Sequence, residues 1–252
     1  MPPTSADGRL WKESWTESLR QASPDCDAAT WTNDIDSRKM KLLRPYLPSE
    51  GRALEVGCGS ARLLCRVGRT VPLTLTALDN EPAALELARH TANAFGVRID
   101  PVNGNVLSLP FADGSFDLIL SGGLLEHFED PKPVLREMVR LVRPGGTFYA
   151  DVVPRKKSWY RLREAQRMAT SPWLAPGVYE SAFGAVDYAA WLDELFLEDV
   201  QVTNCGVYPD FIGRLPWWLR RVAARCLEPL DGTDVGASWG WYFVLLGRKK
   251  RS

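Results

Sequence analysis

Between residues 52 and 153 short apolar runs alternate with helical apolar patterns, and this rhythm predicts the architecture. Ala53-Leu54-Glu55-Val56 reads as a buried strand that runs straight into glycines, with a helix over 60–68 behind them. Leu73-Thr74-Leu75-Thr76-Ala77-Leu78 is a second strand ending on Asp79. Pro82 then falls in a first helical turn, where its missing N–H is no loss, and Gly96 stops that helix. Strands are expected at 99–102, 116–120 and 147–153, with a helix from Pro131 through Leu141 that Pro144-Gly145-Gly146 terminates. A helix at 187–196, a strand at 199–204, a helix at 215–228 and a strand from Trp241 to Leu246 complete the series. Strands and helices in this order imply parallel βαβ units with right-handed crossovers. The expected fold is therefore α/β, with a doubly wound, mostly parallel seven-stranded sheet.

The flanks follow other rules. Residues 1 to about 33 are polar and rich in Pro, Ser and Asp, and read as a loosely ordered arm. Asp34 is placed to cap a helix running to about Leu47, which Pro48 stops. Beyond Pro154 the rhythm breaks, and 155–185 read as an inserted lid: a basic-aromatic helix, then a Pro- and Gly-bearing loop. A single domain results, with an N-terminal arm and helix (1–48), a ligand-binding core (49–153), a lid insertion (154–186) and a C-terminal part of the sheet carrying an inserted helix (187–252).

Composition narrows the function. Lys plus Arg and Asp plus Glu balance at 31 each, so no global field favours nucleic acid as a partner. No apolar stretch approaches the ~20 residues that cross a bilayer, and the N-terminus has no secretory apolar region. The 5 cysteines are scattered and lack C-x-x-C spacing, which argues against a zinc site and for a reducing, cytoplasmic setting. No metal is expected. Ten tryptophans are distributed unevenly: Trp11, Trp15 and Trp31 precede the first strand, seven follow residue 150, and none lies between. The flanks thus supply an aromatic surface or pocket to a compact core, or use the same rings simply to attach themselves to it.

The strand-glycine-helix junction at 53–64 carries the first chemical signal. Glycines there let backbone N–H groups approach a ligand at a helix N-terminus, where donors are unpaired. A dinucleotide fingerprint would need a small residue at position 62, where this chain has Arg62, and Glu55 would set a carboxylate beside two phosphates. A carboxylate suits a cofactor bearing an ammonium and a sulfonium. Asp79 ends the second strand at the spacing where an acid can accept from both ribose hydroxyls, although a helix cap or a solvated loop would also explain it. Asn105 can read an adenine amino group, or can be there for its tolerance of turns.

Four ordered segments then resemble one family. They are Leu54-Glu55-Val56-Gly57-Cys58-Gly59-Ser60, Ala77-Leu78-Asp79-Asn80-Glu81-Pro82, Leu109-Pro110-Phe111-Ala112-Asp113-Gly114-Ser115-Phe116-Asp117 and Leu141-Val142-Arg143-Pro144-Gly145-Gly146. Together they are similar to the motifs of class I S-adenosylmethionine (SAM)-dependent methyltransferases, most of all the small-molecule branch that includes ubiquinone and menaquinone biosynthesis enzymes. The resemblance implies a Rossmann-like methyltransferase fold and SAM as cofactor. It implies that Gly57, Cys58 and Gly59 hold the methionine moiety with Glu55 helping, and that Asp79 binds ribose. Asn80 would lie beside adenine, Asn105 and Val106 would hold its edge and face, and Ser121 would bring its backbone near the methionine end. Two positions depart from the usual pattern: Ala61 replaces the third glycine, and Asn105 replaces a common aspartate.

Ligands in open α/β sheets sit beyond the carboxyl ends of the strands. His127 is the histidine at that rim, either a base toward the acceptor or a packing residue. Trp31, Asp151 and Tyr160 are candidates for an acceptor pocket, which aromatic flanks would make suitable for an apolar or planar small molecule. The alternatives are a protein or nucleic-acid acceptor, disfavoured by Ser121-Gly122-Gly123-Leu124 and by the balanced charge, and a SAM-binding protein that transfers no methyl group. The amphipathic segment 215–228 would pack on its own domain or, less in keeping with common practice, lie on a membrane surface.

Overall fold

Strand β1 (Gly51–Val56) is buried on both faces from Ala53 onward, which is why it reads as a continuous apolar run rather than an alternation. It occupies the middle of one seven-stranded sheet with β2 (Leu73–Asp79), β3 (Asp100–Asn103), β4 (Phe116–Gly122), β5 (Val142–Val152), β6 (Leu197–Cys205) and β7 (Tyr242–Lys249). The order is β3-β2-β1-β4-β5-β7-β6. The first five strands are mutually parallel, and β7 runs antiparallel between β5 and β6. The computed structural model describes residues 5–20, 31–153, 181, 183–195, 197–206, 215–233, 236 and 242–251.

Alternate residues of the strands feed two cores. Leu54, Val56, Leu78, Ile119 and Phe148 pack under α5 (Lys132–Leu141) and α6 (Ala185–Glu194). Ala53, Ala77, Leu118, Leu120 and Tyr149 pack under α2 (Trp31–Leu43), α3 (Arg62–Thr70) and α4 (Pro82–Phe95). Helix α4 begins with Pro82 and ends at Gly96, whose left-handed φ of 66° lets Val97 N–H reach back to the Ala92 carbonyl. The Pro144-Gly145-Gly146 segment does not lie in a linker. It is already part of β5, where the pairing with β4 shifts between Phe116↔Val142 and Leu118↔Thr147, so the intervening residues bulge.

The N-terminal arm differs from expectation. Instead of loose chain, Ser5–Arg20 form helix α1, and α2 starts at Trp31 rather than after Asp34. Trp11, Trp15 and Leu19 recur every four residues, one stripe of a helix. The prolines and serines obscured that period. Helix α1 packs along α4.

Helix α2 is fastened by charge as well as by Leu43 and Ile35. Arg62 Nε donates to Asp36 Oδ2 at 3.0 Å, Arg66 joins the same carboxylate, and both guanidiniums also donate to Asn33 Oδ1. Arg62, which argued against a dinucleotide turn, therefore points away from the sheet toward α2. At the other side Arg38 pairs with Asp231 at 3.2 Å and donates to the Ala224 carbonyl. Ala224 belongs to α7 (Trp217–Leu227), whose inner face packs against Ile35 while Trp218 and Val222 remain exposed. The packing role expected for this segment is thus visible. Among the described residues no helix is long and apolar enough to cross a membrane. The expected lid helix and Tyr160 lie outside the described residues; from the end of that segment, Phe183 packs edge-on against Trp191 at 4.9 Å.

Candidate active site

At the carboxyl end of the sheet β1 separates the β2–β3 half from the β4–β5 half, the switch point where open α/β sheets leave a crevice. The chain leaves β1 through a turn in which Gly57 and Gly59 take φ of +64° and +48°. Such angles suit glycine, and Ala61 shares them at +51° just before α3. The turn is pinned to its neighbour strand. Cys58 N–H donates to the Leu78 carbonyl at 2.9 Å, and Gly59 N–H donates to Asp79 Oδ2 at 2.9 Å.

Asp79 therefore works as a clasp, because its other oxygen accepts from Glu81 N–H at 3.0 Å. Burial pushes its carboxyl up, and these backbone donors pull the other way. Asn103, which the sequence reading did not single out, supports the clasp by donating to the carbonyl of Asn80 at 3.0 Å. Asn80 itself is exposed beside it. Glu55 is 4% exposed and accepts from Leu64 N–H in the first turn of α3 at 3.3 Å. Burial pushes its carboxyl up to about 8, against the pull of that amide.

The remaining candidates fall around this turn. Ser121 is buried at the end of β4, and its hydroxyl donates to the Val56 carbonyl at 3.0 Å, tying β4 to the start of the turn. Asn105 is exposed after β3, and its Oδ1 accepts from Leu107 N–H at 2.9 Å, an Asx turn. Val106 is half-buried against the core. His127 stands in the short turn Leu125–His127 after β4.

Helix α1 crosses above these loops. Trp11 meets the His127 ring edge-on at 4.9 Å, and Trp15 stacks beside Trp11 at 6.3 Å. Trp15 rests on the glycine turn itself: a Cβ added to Gly59 would come within 2.5 Å of its indole. Burial and Asp79 push the Glu81 carboxyl up, while Lys12 of α1 draws it back.

Asp151 is at the end of β5, but it is buried rather than on an open rim. Its Oδ1 accepts from Lys39 Nζ at 2.8 Å and its Oδ2 from Tyr149 Oη at 3.1 Å. Lys39 also lies 3.8 Å over the Tyr242 ring. Burial opposes the Lys39 ammonium, yet Asp151 and Tyr242 outweigh it and raise the pKa, so the lysine stays charged. The sequence reading missed Lys39, although Ile35, Lys39 and Leu43 share one face of α2, and a lysine in an apolar stripe implies a buried acid. Trp31 opens α2, and its side chain lies outside the described residues.

A cradle of left-handed glycines between two buried acids fits a cofactor with ribose hydroxyls and a cationic amino-acid end. Comparison with known proteins agrees. Residues 54–150 match the family described as Methyltransferase domain. The ubiquinone biosynthesis O-methyltransferase of Xanthomonas axonopodis pv. citri is 31% identical over 187 residues, 68% of this chain and 77% of that protein. The norajmaline N-methyltransferase of Rauvolfia serpentina is 24% identical over 159 residues, 60% of this chain and 53% of its own. Among solved structures, a SAM-dependent methyltransferase from Thermotoga maritima superposes with a TM-score of 0.63 at 18% identity, covering 94% of this chain and 99% of that one. The cyclase SpnF superposes with a TM-score of 0.66 at 19% identity, covering 99% and 97%, and shares the fold.

Fold and site define a SAM-dependent methyltransferase. The chain belongs to the class I SAM-dependent methyltransferases, with SAM as its cofactor.

Proposed function

We propose that this enzyme methylates a small apolar or aromatic molecule received between α1 and the ends of β4 and β5. The observation that carries the reading is the Trp11–His127 contact, which sets two aromatic rings at the mouth beside the glycine turn. Pockets for small molecules are mostly apolar, with few polar anchors. The relatives named for ubiquinone and norajmaline methylation point to acceptors of this kind.

Each site residue then has a part. The Gly57, Cys58 and Gly59 backbone and the Glu55 carboxylate hold the methionine end. Asp79 keeps lone pairs beyond the two amides it accepts from, and these take the ribose hydroxyls. Asn80, Asn105 and Val106 border the adenine, and Ser121 keeps β4 against the turn. SAM supplies an electrophilic methyl group on a positively charged sulfur. The protein's task is alignment, exclusion of water and, for a hydroxyl acceptor, removal of a proton. His127 accepts that proton. Asp151 and Lys39 form the charged floor beneath the acceptor, next to Gly122, where a Cβ would lie 3.2 Å from Asp151 Oδ2.

Radiolabelled SAM offered with phenols, quinols, long-chain alcohols, a peptide and an RNA tests this reading. Transfer to the planar small acceptors is expected, with His127→Asn lowering kcat by about 10²- to 10⁴-fold at neutral pH and by less as the acceptor ionises unaided. Transfer confined to the peptide or the RNA would sink it.

A further inference from the structure

We propose that Trp15 is a cofactor-binding residue that recognises the positive charge on the cofactor's sulfur. The proposal rests on the reading that the Gly57–Gly59 turn holds the methionine end and Asp79 the ribose.

Chemistry places the sulfur between those two ends, since it links the ribose to the methionine chain. In the protein the same joint is the Gly59–Asp79 hydrogen bond at 2.9 Å. The outer rim of the Trp15 six-membered ring reaches the Gly59 end of it, with Cη2 at 2.5 Å and Cζ2 at 2.8 Å from where a Gly59 Cβ would be. An aromatic group is thus delivered from α1 into the space that a side chain at position 59 would otherwise fill. Its seat is held from two sides. Trp15 stacks on Trp11 with an interplanar angle of 19°, and Trp11 in turn abuts His127. On the other side, Lys12 of the same helix acts on the carboxylate of Glu81, just after β2.

An indole face attracts a cation, and the attraction strengthens where water is excluded. The sulfur is a cation before methyl transfer and a neutral thioether afterwards. Trp15 therefore favours the methyl donor over the demethylated product, S-adenosylhomocysteine. Ordinary packing against the indole differs between the two ligands only at the transferred methyl group, a contact that an aliphatic side chain of similar reach also supplies.

Titration calorimetry of the full chain with SAM and with S-adenosylhomocysteine separates the two contributions. Trp15→Leu is expected to weaken SAM binding about three- to thirty-fold more than S-adenosylhomocysteine binding. Trp15→Phe, which keeps a ring, should restore most of the donor preference. Equal weakening of both ligands makes Trp15 a packing residue and overturns the proposal, as does unchanged binding of both. A Trp15→Phe protein with the same donor-to-product ratio as Trp15→Leu overturns it too, and Trp15→Met takes the place of the leucine variant in both comparisons if that variant fails to fold. Should the unaltered protein bind neither ligand, the cofactor reading beneath the proposal fails instead.

Discussion

Glu55 and Asp79 show how single positions support the glycine turn while carrying the binding roles proposed for them. Glu55 caps α3 through Leu64 N–H, and burial holds its carboxyl at about 8 instead of the usual 4.5. An acid raised in this way keeps its proton when folded, whereas the unfolded chain releases it. Its contribution to stability is intact below about pH 4.5 and is lost as pH rises toward about 8. The melting temperature should fall across that window, and Glu55→Gln, which cannot ionise, should fall less steeply by scanning calorimetry. Asp79 and Asp151 are displaced in the same direction, so the slope should shrink without vanishing. A cationic ligand beside Glu55 would reverse the effect of burial. SAM binding near pH 7 to 8 is therefore expected to release protons, seen as a binding heat that changes with buffer, and Glu55→Gln should remove that dependence. Asp79→Ala cuts both amide links of the clasp and the proposed ribose contact, and should weaken SAM binding by about ten- to hundredfold in the same experiment. These two acids were legible in the sequence because each directly borders the end of its strand. The support from Asn103 was not, since it depends on β3 lying alongside β2.

Among the elements, α2 illustrates how a helix with a mixed face is held. Three of its buried residues are charged, and each has a partner on a different element: Asp36 on α3, Arg38 on the segment after α7, and Lys39 on β5. Removing one member of such a pair leaves the other as an uncompensated buried charge. Lys39→Met should therefore cost about 3 to 5 kcal/mol, and the double variant Lys39→Met with Asp151→Asn should recover part of it, both read from urea unfolding. Equal stability of Lys39→Met and the unaltered protein would show that Asp151 is not charged. Helix α1 is the opposite case. Its tryptophan stripe was written in the sequence, but a helix of this polarity gains little from propensity and depends on a surface to cover. That surface is α4 and the loop ends of the sheet, which come together only in the folded chain.

For the molecule as a whole, position in the sheet ranks local stability. Strands β1, β4 and β5 have partners on both sides and cores on both faces, whereas α1 covers the open end. Hydrogen exchange should be slowest in those strands and much faster in α1, and S-adenosylhomocysteine should slow exchange in α1 together with the glycine turn. Protection of the turn alone would mean that α1 does not close over the ligand.

The sheet, its mostly parallel strands and the place of the glycine turn follow from local order: apolar runs, glycines and strand-ending acids are short-range features that a chain carries with it. The same holds for the family, whose motifs occur as continuous segments. The roles of α1 and Lys39 arise from contacts across the chain, with Trp15 meeting Gly59 and Lys39 meeting Asp151 over 112 positions. Periodicity can show that a tryptophan stripe or a buried lysine needs a partner. Which surface satisfies it is set by how the helices fold back over the strand ends, because burial, and with it charge pairing and ring contact, is a property of the assembled chain.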